Sequence, residues 1–166
     1  MKKTLIFIFV FLLFLSSCAG NGDPGSTGAL ITDRDPSAMI DEVYALLKDG
    51  TETAEYIPQL ITEDLSENNE EYYLGISGIP YTAGAASEAL VQPVTYSFTI
   101  ILLKEGVDYD AQRKIIEQNV NRSKWVCAFA DEALVVRTGN VIAVIMGPSA
   151  VCSELEEAFL SLYHNK

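Results

Sequence analysis

The stretch from Val94 to Lys104, V-T-Y-S-F-T-I-I-L-L-K, restricts the fold more than any other part of the chain. On a strand, alternate residues face opposite ways. Tyr96, Phe98, Ile100 and Leu102 therefore share one face, while Thr95, Ser97 and Thr99 start the other, which turns apolar at Ile101 and Leu103. A strand that is apolar on both sides at one end belongs inside a sheet, with helices covering it there. Asp108 is placed to cap a helix over 109–120 whose buried stripe is Ala111, Ile115, Ile116 and Val120. Trp125, Cys127 and Phe129 alternate with Lys124, Val126 and Ala128, a pattern that predicts a strand or extended segment. Residues 133–137 and 141–146 read as two strands joined by a tight turn through Thr138-Gly139-Asn140. Gly147-Pro148 ends the second strand, and Ser149 opens a helix buried through Val151, Leu155, Phe159 and Leu162. The order strand, helix, strand, strand, helix predicts an α+β class. The expectation is a small, mostly antiparallel sheet with helices packed on one face.

Ahead of this core the reading is an N-terminal helical region. Asp35 and Pro36 mark the start of a helix with Met39, Ile40, Val43, Leu46 and Leu47 on its buried side, stopped at Asp49-Gly50. Pro58 interrupts any long helix in 51–70, leaving short helical turns around 59–69. Residues 72–76 predict a short strand, 77–84 a small-residue loop, and 85–91 a second short strand ended by Pro93.

The first residues carry an address. Met1-Lys2-Lys3 is a positive leader, and Leu5 to Leu15 are eleven unbroken apolar residues. As a helix they cover about 16 Å, roughly half of a bilayer's hydrocarbon core. That is the length and charge of a secretory signal peptide rather than of a permanent span. Leu15-Ser16-Ser17-Cys18 then resembles the bacterial lipobox, an aliphatic residue and two small ones before the modified cysteine. The resemblance implies cleavage after residue 17, a diacylglyceryl group on Cys18 and a further acyl chain such as palmitate on the new amino terminus. Two chains suffice for stable anchoring where one does not. Residues 18–35 are dominated by glycine, serine, aspartate and proline and read as a flexible tether with a reach of roughly 20–25 Å. Residues 36–166 remain as one α+β domain.

Cleavage removes Lys2 and Lys3 but none of the 23 acidic residues, so the net formal charge falls from −12 to −14. Such a surface repels nucleic acid and gains nothing from anionic lipid. Attachment to the membrane therefore falls to the acyl chains, on the extracytoplasmic face.

Little in the sequence announces chemistry. The only histidine, His164, sits at the C-terminal end, which argues against a zinc hydrolase or a Ser-His-Asp triad. The acids at 63, 64, 67, 70 and 71 match no calcium-loop spacing and read as a solvated face, so neither metal nor cofactor is expected. Cys127 and Cys152 form an even pair in an exported chain and are candidates for a disulfide; each also fits as a small buried hydrophobe. The best candidate for a ligand edge is the segment from Ser77 to Glu88. Ser77, Tyr81, Thr82, Ser87 and Glu88 offer hydroxyls and one carboxylate, with Trp125 as an aromatic wall. Such a groove suits a small polar or cationic ligand.

Residues 72–163 resemble the lipoprotein family designated domain of unknown function 4358, found mainly in clostridia-like Gram-positive bacteria. The likeness is carried by Leu74-Gly75-Ile76-Ser77-Gly78, by 83–89, by Tyr96-Ser97 with the following strand, by Asn121-x-x-x-Trp125-x-Cys127, and by Gly139-Asn140-Val141-Ile142. The resemblance implies a surface lipoprotein and assigns no reaction, ligand or catalytic residue. The expected function is a membrane-anchored, non-enzymatic binding or scaffold domain of the cell envelope, meeting an envelope protein, a wall component or a small polar ligand. The alternative is a carboxylate-dependent hydrolase or transferase with Glu88 as acid or base.

Overall fold

A computed structural model describes residues 31, 33–48, 50–90 and 94–164, without the side chains of 163 and 164. The expected signal peptide, Cys18, the expected tether up to residue 30 and the His164 side chain lie outside the described residues. Helix α1 (Pro36–Leu46) starts where the sequence places it, with the Asp35 carboxylate accepting from the Ser37 N–H at 3.0 Å. Next come α2 (Glu52–Tyr56), a single 3-10 turn (Ile57–Gln59), β1 (Leu60–Asp64) and α3 (Glu70–Leu74). The chain continues through β2 (Tyr81–Ala89), β3 (Ser97–Leu103), α4 (Tyr109–Asn119), β4 (Glu132–Thr138), β5 (Val141–Gly147) and α5 (Ser149–His164). The five strands form one antiparallel sheet in the order β1-β2-β3-β5-β4. The α+β class holds, and from β3 onward the elements follow the expected order. Among the described residues no helix is long and apolar enough to cross a membrane.

The helices do not share one face. Tyr96 and, from β3, Phe98, Ile100 and Leu102, with Val141, Ala143 and Ile145 of β5, pack against α1 and α5. Ile101, Leu103, Ile142 and Val144 point the other way and are covered by Leu74 of α3 and Ile116 of α4. The cause is the doubly apolar end of β3. Leaving either face open would expose several large side chains, each worth about 1.5–3 kcal/mol when buried.

Three local expectations are corrected. Residues 60–64 form the edge strand β1 rather than helical turns, paired from Leu60↔Ala89 to Asp64↔Ala85. Residues 70–74 are helical rather than a strand. Gly75 ends that helix at φ +77°, its N–H donating to the Glu71 carbonyl. A Cβ on Gly75 would lie 2.1 Å from the Asn119 carbonyl oxygen, so glycine is what lets the ends of α3 and α4 meet. Residues 125–129 form no strand: Trp125 is buried against Met146, but Val126, Cys127 and Phe129 are exposed. Alternation in the sequence there reflects one anchored residue rather than a sheet partner.

Asn140, 1 % exposed in the two-residue β4–β5 turn, fixes the chain's entry into the domain. Its side-chain oxygen accepts from the Ile31 N–H at 2.8 Å, and its amide nitrogen donates to the Ile31 and Leu103 carbonyls at 2.7 and 3.2 Å. The chain therefore enters at the Leu103 end of the sheet.

Candidate functional site

The register sets the opposite end of the sheet as a row. Ile61, Glu88, Ser97, Met146 and Ala133 are successive cross-strand partners on one face. The row has a carboxylate and a hydroxyl in the middle of an otherwise apolar floor, and two segments cover it. Tyr72 and Tyr73 arrive from α3, and Lys124 and Trp125 arrive from the 120–131 segment. The Lys124 side chain is only 2 % exposed, and its Nζ lies 3.1 Å from Glu88 Oε1 and donates to Ser97 Oγ at 3.0 Å. The same ammonium stands 4.1, 4.4 and 5.0 Å from the ring centres of Tyr72, Tyr73 and Trp125. A cation over ring faces is attracted by their quadrupoles, the more so away from water.

The carboxylates are held in turn. The Tyr72 hydroxyl donates to Glu88 at 3.0 Å and the Tyr73 hydroxyl to Glu63 at 2.6 Å. Burial pushes Lys124 down to about 8, with the charges of Glu88 and Glu63 pulling the other way. Burial first, then Glu88, pushes the Tyr72 phenol up to about 12. Tyr73 is raised further, by burial and by its bond to Glu63.

The segment over the row is closed on itself. The Arg122 guanidinium donates to the Ala130 carbonyl at 2.8 and 3.0 Å and also to the Asp131 carbonyl, while the Ala130 N–H returns to the Arg122 carbonyl at 3.0 Å. With Lys124, Trp125 and Ala130 turned inward, Val126 and Phe129 are left 91 % and 72 % exposed.

The predicted ligand edge is not one site. β2 runs the length of the sheet, so Tyr81 and Thr82 lie at the Leu103 end, about 20 Å from Glu88 at the usual rise per residue. The Thr82 hydroxyl donates to the Leu102 carbonyl beside an irregularity in the β2–β3 register. Ser77 is exposed in a turn held by Glu70, which accepts from the Gly78 N–H at 2.7 Å. Ser87 is buried on the opposite face, by Tyr44 and Tyr96. Of the predicted set only Glu88 and Trp125 come together. Cys127 and Cys152 are both free thiols, Cys127 exposed and Cys152 buried with its sulfur 3.8 Å from the Glu132 carbonyl oxygen; one faces solvent and the other the core, so no disulfide joins them.

Sequence reasoning missed Lys124, Tyr72, Tyr73, Ser97 and Glu63. One signal was available: a glutamate inside a strand of alanines and serines needs a cationic partner, and Lys124 beside Trp125 is the neighbour that supplies it. As chemistry, the cluster holds its own cation. Ser97 is fully buried, and Glu88 is engaged by both Lys124 and Tyr72. Comparison of the chain with protein-family models, with curated proteins and with solved structures finds no match.

Proposed function

We propose that this chain is an extracytoplasmic lipoprotein of the domain of unknown function 4358 type, acylated at Cys18. In this reading its domain is a non-enzymatic binding or scaffold module whose working surface is the Glu88–Lys124 end of the sheet. The observation that carries the reading is a polarity. Five of the six large apolar side chains exposed among the described residues, Ile61, Tyr72, Leu90, Val126 and Phe129, belong to that end; the sixth, Leu46, closes α1. Ile31, where the tether joins, belongs to the other. A domain held at one pole presents its apolar side chains at the opposite one. Exposed apolar groups gathered in this way mark interaction surfaces rather than ordinary solvent-facing positions. The engagement of Glu88 by Lys124 and Tyr72 weighs against its use as a general acid or base.

Two measurements test this. Growth of the source bacterium on labelled palmitate should give a labelled protein in the membrane fraction, with the label lost in Cys18→Ala. A soluble, unlabelled, intracellular protein would remove the anchor. A photoreactive residue at Val126 or Phe129 should trap a defined envelope component in intact cells, whereas one at Lys104 should not. Equal capture from both ends would remove the working surface.

A further inference from the structure

The charges at the apolar end of the sheet are sorted by direction. The Lys124 ammonium is sealed inside between Glu88 and Ser97, and the Arg122 guanidinium is committed to the Ala130 and Asp131 carbonyls. The acids stay outside. Glu63 shares a face of β1 with Ile61 and accepts a neutral hydroxyl, that of Tyr73, so its charge is not cancelled there. Glu71 precedes Tyr72 on α3, and Asp131 follows Phe129 by two residues; all three acids are exposed. Large apolar side chains in the middle with charge around them are the anatomy of a protein interface. Three carboxylates against one guanidinium leave this rim negative.

We infer that the apolar end receives a basic polypeptide segment, whose apolar side chains settle on Tyr72, Val126 and Phe129 while its lysines or arginines meet Glu63, Glu71 and Asp131. The inference rests on this end being the working surface and adds the chemistry of what it meets. Charge decides between this guest and two others. A second copy docked by the same end would set one negative rim against another, because a two-fold contact joins the same patch on both copies. An anionic lipid surface is repelled on the same ground, by a chain of net charge −12. A basic segment gains at both the centre and the rim.

Cys127 supplies the reporter. It is exposed between Val126 and Phe129, whereas Cys152 is buried and its thiol is pushed up to about 12, chiefly by burial. With the Cys18 sulfur lipidated, a maleimide added at neutral pH to the full acylated chain in zwitterionic nanodiscs reads Cys127 alone. Two short helical probes share the same leucines, one filled out with lysine and the other with glutamate. The lysine probe should protect Cys127 at about tenfold lower concentration than the glutamate probe, and added salt should remove most of that advantage. Glu71→Lys with Asp131→Lys should invert the preference; if that pair melts, the milder Glu71→Gln with Asp131→Asn should erase it. Glu105→Lys with Glu157→Lys, the same charge change at exposed positions beyond Leu103 and on α5, should leave it intact. Equal protection by the two probes, protection by neither, or a preference moved as much by the distant pair would each overturn the inference. So would protection that grows with protein concentration in the absence of peptide, which assigns the end to a second copy, or protection by anionic vesicles alone, which assigns it to lipid. Capture at Val126 or Phe129 in intact cells is read independently, so a working surface that survives there with no preference for lysine here has lost only its basic guest.

Discussion

The two faces of the sheet are made from the same strands but have different interiors. Toward α1 and α5, Tyr96 and the β3 residues Phe98, Ile100 and Leu102 fill the core, and two phenols there satisfy each other beside the buried Ser87, Tyr44 and Tyr96 meeting at 2.7 Å. Toward α3 and α4, the same strand contributes Ser97 and Thr99 before Ile101 and Leu103, and an ion pair is sealed in over them. One face is held by shape and the other partly by charge. An offset of one residue along β3 separates the two. A face held by charge is sensitive to losing one partner and tolerant of losing both; a face held by shape responds to volume alone.

The largest expected effect breaks the face held by shape. Phe98→Ala should lose about 3–5 kcal/mol, read as a shift of the urea midpoint at unchanged slope. On the other face, Glu88→Gln should lose about 3 kcal/mol because it strands a buried ammonium. Glu88→Gln combined with Lys124→Met should recover most of that loss, and a double variant as unstable as the sum of its singles would refute the charge description. Gly75→Ala should follow at about 2 kcal/mol or more, since the left-handed backbone and the Asn119 carbonyl both oppose a side chain. At the small end, Phe129→Ser should change stability by less than about 0.5 kcal/mol while abolishing any capture at the apolar end.

pH separates the faces without mutation. Lys124 is lowered in the folded state to about 8 from 10.5, so between those values the unfolded chain binds more protons than the folded one. Its contribution is unfavourable below about pH 8 and is relieved as pH rises from 8 toward 10.5. Tyr44 is raised by burial to about 12, as is Tyr72, so both oppose unfolding below pH 10 and lose that effect between 10 and 12. Thermal melts should therefore show the Lys124 contribution improving above pH 8 and a steep loss above 10. Lys124→Met should remove the first change and keep the second.

Where a physical signal was local, the sequence was readable. Asp35 and Asp108 capped the helices they were expected to cap, and the two-faced pattern of 94–104 and the apolar run 141–146 after its turn marked two of the central strands. Leu60–Asp64 was missed because an edge strand four-fifths exposed has no apolar alternation to show. Tyr72-Tyr73-Leu74 was misread because aromatic residues favour strands locally, and packing on Ile116 and Ile101 overrode that preference. The distribution of helices between faces depends on contacts far apart in the chain. So does the meeting of Glu88 with Lys124, which are 36 positions apart and joined only once β2, β3 and α3 are in register. Of the candidate site, Glu88 and Trp125 were visible in the sequence; Lys124, Tyr72, Tyr73, Ser97 and Glu63 joined them only in three dimensions.

The clasp between Ile31 and Asn140 has a mechanical consequence. Tension arriving at Ile31 is met by the Asn140 carboxamide, which also grips Leu103 at the shared ends of β3, β4 and β5, and by the packing of Ile31 on the core. Asn140→Ala, which removes that grip, should let the Ile31 end detach at lower force under an optical trap.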